Sequence, residues 1–417
     1  MAPNPAQIRR PLRVLLPAVL KFSSALFLAL AAVEVGVRLL GLAPPERGPN
    51  NRLPLQVPVE EERAPGLVTA LVPMGAGEVL YPGHGEVPDR VVEYRINGDG
   101  FRDRPGSYAI PKPPGVFRIA CIGDSVTYGT GVPLAATLPK QLERVLAGRG
   151  HAGPIEVLNC GVYGHNTSQQ LAWYEFNVAR FEPDMVLVIA NVNDASGRNV
   201  PIAERPIPRE IAWINALGLT SGVWDSGEHP DDPRTARMMA LRRRSELVDL
   251  VAHHLYLRWK SATERQNFIA DWQPSSPGVE VVRACLARFE ELSRRDGFEL
   301  RVALYPNLEQ LDGSYPYESV TDSLRSICRE VGVPFADLLE PLWGRDAYAL
   351  RAHPHDHHPG PVAHGLVAAW LATWIEGSLD FEPGAAVDAA HGNEVSSRGS
   401  DPDDREPLQF APDRERR

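Results

Sequence analysis

Cysteine and methionine are scarce in this chain, with four and five residues among 417. Cys121 and Cys160 fall in or beside apolar segments typical of core strands, whereas Cys285 and Cys328 fall on predicted helices. None has the close pairwise spacing of metal-binding cysteines. The cysteines therefore predict no metal centre, and we expect mostly buried thiols.

A strongly basic stretch is also lacking. The formal net charge is −10, and no segment interleaves basic residues with aromatic ones. Proteins that bind nucleic acid present such a positive footprint to the phosphates. We therefore expect no nucleic-acid partner.

One long, mostly apolar stretch lies near the N-terminus, from Val14 to Leu42. At 1.5 Å per residue, a helix of this length crosses the ~30 Å hydrocarbon core of a bilayer, with Lys21 and Arg38 extending toward its faces. Basic residues before the stretch favour a cytoplasmic N-terminus and an extracytoplasmic remainder. Residues 1–42 are thus predicted to be a membrane anchor. A signal peptide with a cleavage site at 29–31 and a buried helix of a soluble protein are the alternatives.

The rest of the chain divides into three parts by composition. Residues 43–89 are rich in proline, glycine and glutamate, which is typical of an extended extracytoplasmic linker with some local structure. Residues 90–377 alternate predicted strands and helices. Residues 378–417 lack apolar periodicity, so we expect a disordered tail.

The alternation of elements predicts a parallel sheet covered by helices on both faces. We expect an α/β protein with a three-layer α/β/α flavodoxin-like fold of about five strands. Strands are expected near 116–122, 155–159, 185–190, 300–305 and 334–337, and helices near 138–148, 167–180, 278–295, 320–331 and 361–377.

A serine stands at the end of the first of these strands. Residues 117–122 are mostly apolar and lead into Gly123, Asp124 and Ser125. Open α/β sheets place their chemistry at the carboxyl ends of strands, so Ser125 is a candidate nucleophile. On its own the tripeptide also fits a simple turn.

Three further segments follow along the chain. The second predicted strand leads into a turn with Gly161 and Gly164, and the third leads into an amide-rich turn with Asn193 and Asp194. The histidine-rich segment 355–359, His-Asp-His-His-Pro, precedes the last predicted helix.

In this order the segments resemble the four blocks of the SGNH hydrolases, also called the GDSL esterase/lipase family. The family's serine matches Ser125, its glycine matches Gly164, its asparagine matches Asn193 and its histidine matches His358. The resemblance spans approximately residues 90–377. It implies the SGNH hydrolase fold and a serine esterase that needs neither a metal nor another cofactor.

Three positions leave alternatives open. The third block of the family normally begins with glycine, where this chain has Asn191. The acid normally stands three residues before the histidine, where this chain has His355, while Asp356 lies two before it. In the second block, Gly161 is an alternative to Gly164.

The resemblance assigns a role to each matched residue. His358 accepts the proton of Ser125, and a carboxylate, assigned to Asp356, orients the imidazole. The backbone N–H groups of Ser125 and Gly164 and the side-chain amide of Asn193 form the oxyanion hole.

The histidine-rich segment also allows a metal-binding interpretation, because imidazole and carboxylate suit zinc and other divalent metals. The pattern His-x-His-x-Asp-His is not met, since His357 stands where its aspartate belongs. No second group of ligands stands out in the sequence. We therefore favour the catalytic interpretation.

Residues 195–277 form a connection too long for an ordinary strand-to-helix link. Because they follow the Asn193 turn, we expect a lid or binding loop beside the active site. A helical subdomain with its own core is an equal alternative. The tryptophans that stack on sugar rings or line an acyl pocket in the first interpretation are Trp213, Trp224, Trp259 and Trp272.

These expectations combine into a membrane-anchored, extracytoplasmic ester hydrolase that forms an acyl-Ser125 intermediate. O-acyl esters, especially O-acetyl esters, of envelope or exported carbohydrate are the expected substrates. The alternatives are an O-acyltransferase of the same fold, an esterase for lipid or small esters, and a catalytically idle envelope-binding protein.

Overall fold

The computed structural model describes residues 5–40, 55–60, 63–81, 90–151, 153–196, 241, 244–248, 250–251, 265–353 and 356–377. The side chains of residues 5–20 and of Asp356 are outside this description. The predicted tail, 378–417, also lies outside the described residues.

Strands and helices alternate through most of the described chain. The strands, in chain order, are β1 (Gln56–Pro58), β2 (Thr69–Leu71), β3 (Ala76–Tyr81), β4 (Arg90–Arg95), β5 (Phe117–Gly123), β6 (Ile155–Asn159), β7 (Met185–Ala190), β8 (Glu299–Leu304), β9 (Phe335–Asp337), β10 (Arg351–His353) and β11 (Asp356–Pro359). The α-helices are α1 (Pro5–Leu40), α2 (Ser125–Tyr128), α3 (Leu138–Ala147), α4 (Thr167–Trp173), α5 (Pro277–Asp296), α6 (Glu318–Val331), α7 (Ala347–Leu350) and α8 (Pro361–Glu376). Short 3₁₀ segments occupy Leu134–Ala136, Ala179–Phe181 and Glu340–Leu342, and Tyr174–Val178 is a π-helical turn.

Five parallel strands form the central sheet in the order β6-β5-β7-β8-β9. All six residues of β7 are buried, which explains why its sequence is a continuous apolar run without polar alternation. Helices α3 and α8 pack on each other, while α4 packs on α5 and α5 on α6. These two groups fit helical layers on opposite faces of the sheet. The predicted α/β fold with five parallel strands is confirmed.

Capping residues set the ends of the outer helices. At the start of α5, Ser276 Oγ accepts a hydrogen bond from Gly278 N, and Pro277 occupies the first turn. The helix ends at Gly297, which has a φ of 79°, and α6 ends similarly at Gly332, with a φ of 85°. These local signals explain why the helix positions were predictable from sequence.

Residues 55–81 differ from the predicted linker. Strand β1 pairs with β2, and β3 pairs with β4, both antiparallel. Leu55, Leu67 and Leu71 are buried in the same core as the central sheet. The ordered part of 43–89 is thus more extensive than the predicted linker with some local structure, because the few apolar residues among the prolines and glycines find their partners only in the folded domain.

Between Lys21 and Leu40, most apolar side chains of the N-terminal helix α1 are exposed, with Val37 as a buried exception. Its segment Lys21–Leu40 is long and apolar enough to cross a membrane. Phe27 is 71% exposed and Leu39 is 81% exposed. A core helix buries such side chains, so the exposure disfavours the soluble-helix alternative and fits either an anchor or a signal sequence.

Candidate active site

The turn that carries the candidate nucleophile begins at a glycine whose surroundings leave no space for a side chain. A Cβ on Gly123 would lie 2.2 Å from Thr127 Oγ1 and 2.7 Å from the Ile189 carbonyl oxygen, so only glycine fits at the end of β5. Asp124 then caps α2, because its Oδ1 accepts a hydrogen bond from Val126 N at 2.8 Å. Ser125 therefore begins α2 at the carboxyl end of a central strand.

Ser125 and His358 meet although 233 residues separate them in the sequence. The distance between Ser125 Oγ and His358 Nε2 is 2.8 Å. His358 lies in β11, which pairs with β10 in an antiparallel ribbon. A hydroxyl and an imidazole at this distance can exchange a proton directly.

The turn after β6 carries the second-block glycine. His165 N donates to the Val162 carbonyl at 3.2 Å, and Gly164 occupies the third position of this turn with a φ of 80°. That backbone conformation favours glycine. The N–H of Gly161 donates to Asn159 Oδ1 at 3.2 Å, whereas the Gly164 N–H donates to no described residue. Gly164 is consequently the better candidate for an oxyanion donor.

The third-block turn closes without its usual glycine. Asn191 N donates to Asp194 Oδ2 at 2.7 Å, and Val192 N donates to Asn191 Oδ1 at 2.6 Å. Asn193 sits within this turn, and its side chain, like that of Ser125, stabilises the charged form of Asp124. The turns of the first and third blocks therefore meet at the carboxylate of Asp124.

Two fully buried carboxyl groups lie beneath these turns. Burial raises the pKa of Asp124, while the hydrogen bond from Val126 N and the nearby His358 oppose that shift. Burial and the neighbouring Asp124 raise the pKa of Asp194 to about 7. Thr167 Oγ1 and Gln170 Nε2 donate to Asp194 Oδ1 at 2.7 and 2.8 Å, which fixes the carboxyl group below the Asn193 turn.

A third buried carboxyl group, that of Glu309, lies beside the histidine-rich strand. Glu309 Oε1 is 3.7 Å from His357 Nδ1, next to the candidate base. Arg265 donates to Glu309 Oε2 at 2.5 and 3.1 Å, and Tyr317 OH donates to Glu309 Oε1 at 3.2 Å. Sequence reasoning missed Glu309 because it belongs to no motif block and meets His357 only through the fold.

The predicted acid has a less complete description. The backbone of Asp356 forms the start of β11, opposite His353, but its side chain and the whole of His355 lie outside the described residues. The assignment of Asp356 therefore stays a prediction. Within the described residues, no three His, Cys, Asp or Glu side chains are grouped as metal ligands.

Near its C-terminal end, the insertion 195–277 contacts the third-block turn through Trp272. This side chain is buried and donates from Nε1 to the Val192 carbonyl at 2.8 Å, so it supports the third-block turn and offers no sugar-stacking surface. Trp213, Trp224 and Trp259 lie outside the described residues. The lid and subdomain interpretations therefore both stay predictions.

A comparison with family models identifies the chain. The model described as a GDSL-like lipase/acylhydrolase family matches residues 121–366, more than half of the protein. The chain belongs to this family. It is an ester-hydrolysing enzyme, and the SGNH/GDSL relationship predicted from the four blocks is confirmed.

Solved structures of a lipase/acylhydrolase and of an esterase are similar to this chain at low identity. A lipase/acylhydrolase from Enterococcus faecalis is 15% identical, with 64% of this chain and 98% of that chain covered and a TM-score of 0.37. An acetylxylan esterase, Axe2, from Geobacillus stearothermophilus is 15% identical, with 64% and 95% covered and a TM-score of 0.36. Among curated proteins, none matches the chain significantly.

Proposed function

We propose that this GDSL-family enzyme removes O-acyl groups, acetyl groups above all, from carbohydrate of the cell envelope or from exported polysaccharide. The observation that carries the proposal is the 2.8 Å contact between Ser125 Oγ and His358 Nε2. A serine hydroxyl attacks an ester at neutral pH only when a base takes its proton, and neutral imidazole suits that task.

The proposed reaction has two stages. His358 accepts the Ser125 proton as Oγ attacks the acyl carbon, and it then protonates the departing sugar oxygen, which leaves an acyl-Ser125 ester. Water next attacks the acyl carbon while His358 accepts one of its protons. The serine oxygen departs with that proton, releasing the carboxylic acid, which ionises, and the free serine.

The oxyanion of each stage needs preformed donors. The backbone N–H groups of Ser125 and Gly164 and the amide of Asn193 are proposed to supply them. The Gly164 N–H, which donates to none of the described residues and lies in a turn that favours glycine, supports this assignment. Asp356 is proposed to hold the Nδ1–H of His358, which fixes the tautomer that keeps Nε2 basic.

The proposed substrate class follows from the expected location of the catalytic domain outside the cytoplasm. The exposed apolar residues of α1 favour a membrane-anchored enzyme, and the basic residues before them favour a catalytic domain outside the cytoplasm. A catalytic domain in that location can reach O-acylated carbohydrate of the envelope and exported polysaccharide.

Acetate release from acetylated polysaccharides tests this function. The full-length enzyme is incubated with acetylated xylan and acetylated mannan, and the Ser125→Ala variant serves as the control. We expect the active enzyme, and not the variant, to release acetate. Faster cleavage of long-chain lipid esters, or acetyl transfer to an added sugar in place of acetate release, would replace the proposal with the esterase or acyltransferase alternative.

A further inference from the structure

A charged residue of α1 binds the long insertion. Glu34 Oε2 accepts hydrogen bonds from Ser245 Oγ at 2.7 Å and from Leu247 N at 3.0 Å, and Glu34 Oε1 accepts one from Glu246 N at 3.1 Å. The carboxylate thus binds the backbone of the insertion directly.

Arg38, one helical turn later, completes the contact. Its Nε donates to Glu34 Oε1 at 2.7 Å, and its Nη2 donates to the Arg244 carbonyl at 2.9 Å. Together, Glu34 and Arg38 bind donors and acceptors of residues 244–247. We call this contact between α1 and residues 244–247 the anchor clasp.

In the register that places Val14 to Val33 in the bilayer, the anchor clasp lies at the outer end of the spanning segment. These twenty residues include one charged residue, Lys21, and are long enough to cross ~30 Å of hydrocarbon. The register Lys21–Leu40 would instead place Glu34 and Arg38 among lipid, and the hydrogen bonds from Ser245, Glu246 and Leu247 to Glu34 favour the first register. A carboxylate near hydrocarbon is costly unless it is paired, and Arg38 together with the insertion supplies its partners.

The same insertion also contacts the active-site rim. It begins directly after the Asn193 turn. On its return, Arg265 binds Glu309 at 2.5 Å and Trp272 binds the Val192 carbonyl at 2.8 Å. Described residues of this one connection therefore contact both α1 and the residues Val192 and Glu309, which lie beside the Asn193 turn and His357.

We propose that the anchor clasp holds the active-site edge of the catalytic domain at the outer membrane surface, and that the natural substrate is an acyl ester on a lipid-linked carbohydrate. This inference rests on the proposed hydrolase function for its choice of substrate. The clasp itself does not depend on catalysis, so the two can fail separately.

Cysteine cross-linking tests the clasp in the full-length protein. The pair Glu34→Cys and Ser245→Cys is reconstituted in phosphatidylcholine–phosphatidylglycerol vesicles, oxidised, and analysed by peptide mass spectrometry. The described native cysteines are all buried, which limits competing disulfides. The matched control pairs Val35→Cys with Ser245→Cys, because Val35 is 53% exposed one residue along the helix. We expect efficient bridging of 34 to 245 and little of 35 to 245, and equal yields would overturn the clasp.

Activity on two forms of one ester tests the orientation. The probes are p-nitrophenyl acetate in solution and a fluorogenic acetylated glycoside carried on a dialkyl lipid in the same vesicles. We expect Glu34→Ala to slow the lipid-borne reaction about fivefold or more, because the effective concentration of surface substrate falls, and to leave the soluble reaction unchanged. Val35→Ala should change neither rate. Equal rates of wild type and Glu34→Ala on the lipid-borne ester would refute the orientation, whereas loss of the soluble reaction in wild type would refute the hydrolase function.

Discussion

At the residue scale, His165 joins the turn that carries Gly164 to the antiparallel ribbon of β1 and β2. Its ring is fully buried, and Nε2 donates to the Thr69 carbonyl at 3.0 Å. Burial lowers the pKa of His165 to about 4. A histidine in the unfolded chain has a pKa of about 6.5. Between these two pKa values the unfolded histidine is therefore protonated, while His165 in the folded protein stays neutral.

This difference predicts how stability depends on pH. Between pH 6.5 and about 4, the unfolded state binds more protons than the folded state, so the contribution of His165 is complete above that window and is lost as pH falls through it. His165→Gln keeps a donor for Thr69 but does not titrate. Urea unfolding from pH 7 to pH 4 should show the free energy of unfolding falling less steeply in the variant, by up to about 1.4 kcal/mol per pH unit. Parallel curves for the two proteins would contradict the assignment.

The sequence predicts some residues at the candidate site and not others. Ser125 and His358 were predictable because each stands in a local block with its own turn chemistry. Glu309 and His165 were not, since their contacts with His357 and Thr69 join segments far apart in the chain. The acid at Asp356 was the least predictable, because its spacing departs from the family pattern.

At the scale of elements, the second-block loop packs against the nucleophile helix α2. A Cβ on Gly161 would lie 2.3 Å from Tyr128 N and 2.7 Å from the Thr127 carbonyl carbon. Gly161→Ala must therefore push α2 and Ser125 away from the loop. We expect it to destabilise the fold by about 1–3 kcal/mol, as overpacking does, and to lower kcat. Gly313→Ala is the control, because a Cβ there meets nothing within 4 Å. Equal thermal stability and activity of the two variants would show that the loop and helix are not closely packed.

The ribbon β1–β2 makes a second contact with the turn that carries Gly164. Gln56 Nε2 donates to the Tyr163 carbonyl at 2.7 Å, directly before Gly164. Gln56→Ala should loosen this turn and lower kcat several-fold with little change in KM, because the turn acts on the transition state. Thr69→Val is a suitable control, since the Thr69 hydroxyl is 3.4 Å from His165 while the stronger contact uses its carbonyl. A rise in KM alone would assign Gln56 to substrate binding.

Some secondary-structure elements are likewise predictable from the sequence, and others are not. The central strands were predictable because parallel strands buried on both faces are short apolar runs between turn signals. Strands β1 to β3 were not, because their pairing depends on a core that forms elsewhere in the chain. Their burial against the catalytic domain appears only when the sheet is assembled.

At the scale of the whole molecule, α1 bears on the cellular location of the enzyme. If Val14 to Leu42 spans the bilayer, full-length protein should stay in membranes after carbonate washing, and protease should reach the catalytic domain only from the extracytoplasmic side. A mature protein beginning near Val33 would show a cleaved signal peptide in place of an anchor. Removal of residues 1–42 provides the soluble control.

The central claim is that Ser125 is a nucleophile activated by His358. The most direct measurement is intact-protein and peptide mass spectrometry after reaction with a fluorophosphonate, combined with p-nitrophenyl acetate kinetics. We predict one adduct, on Ser125, and its absence in Ser125→Ala. His358→Ala should label very slowly, and kcat should fall by about 10⁴–10⁶ in both variants because nucleophile and base act as a unit. Labelling at another residue, or ester cleavage by Ser125→Ala at the wild-type rate, would contradict the account.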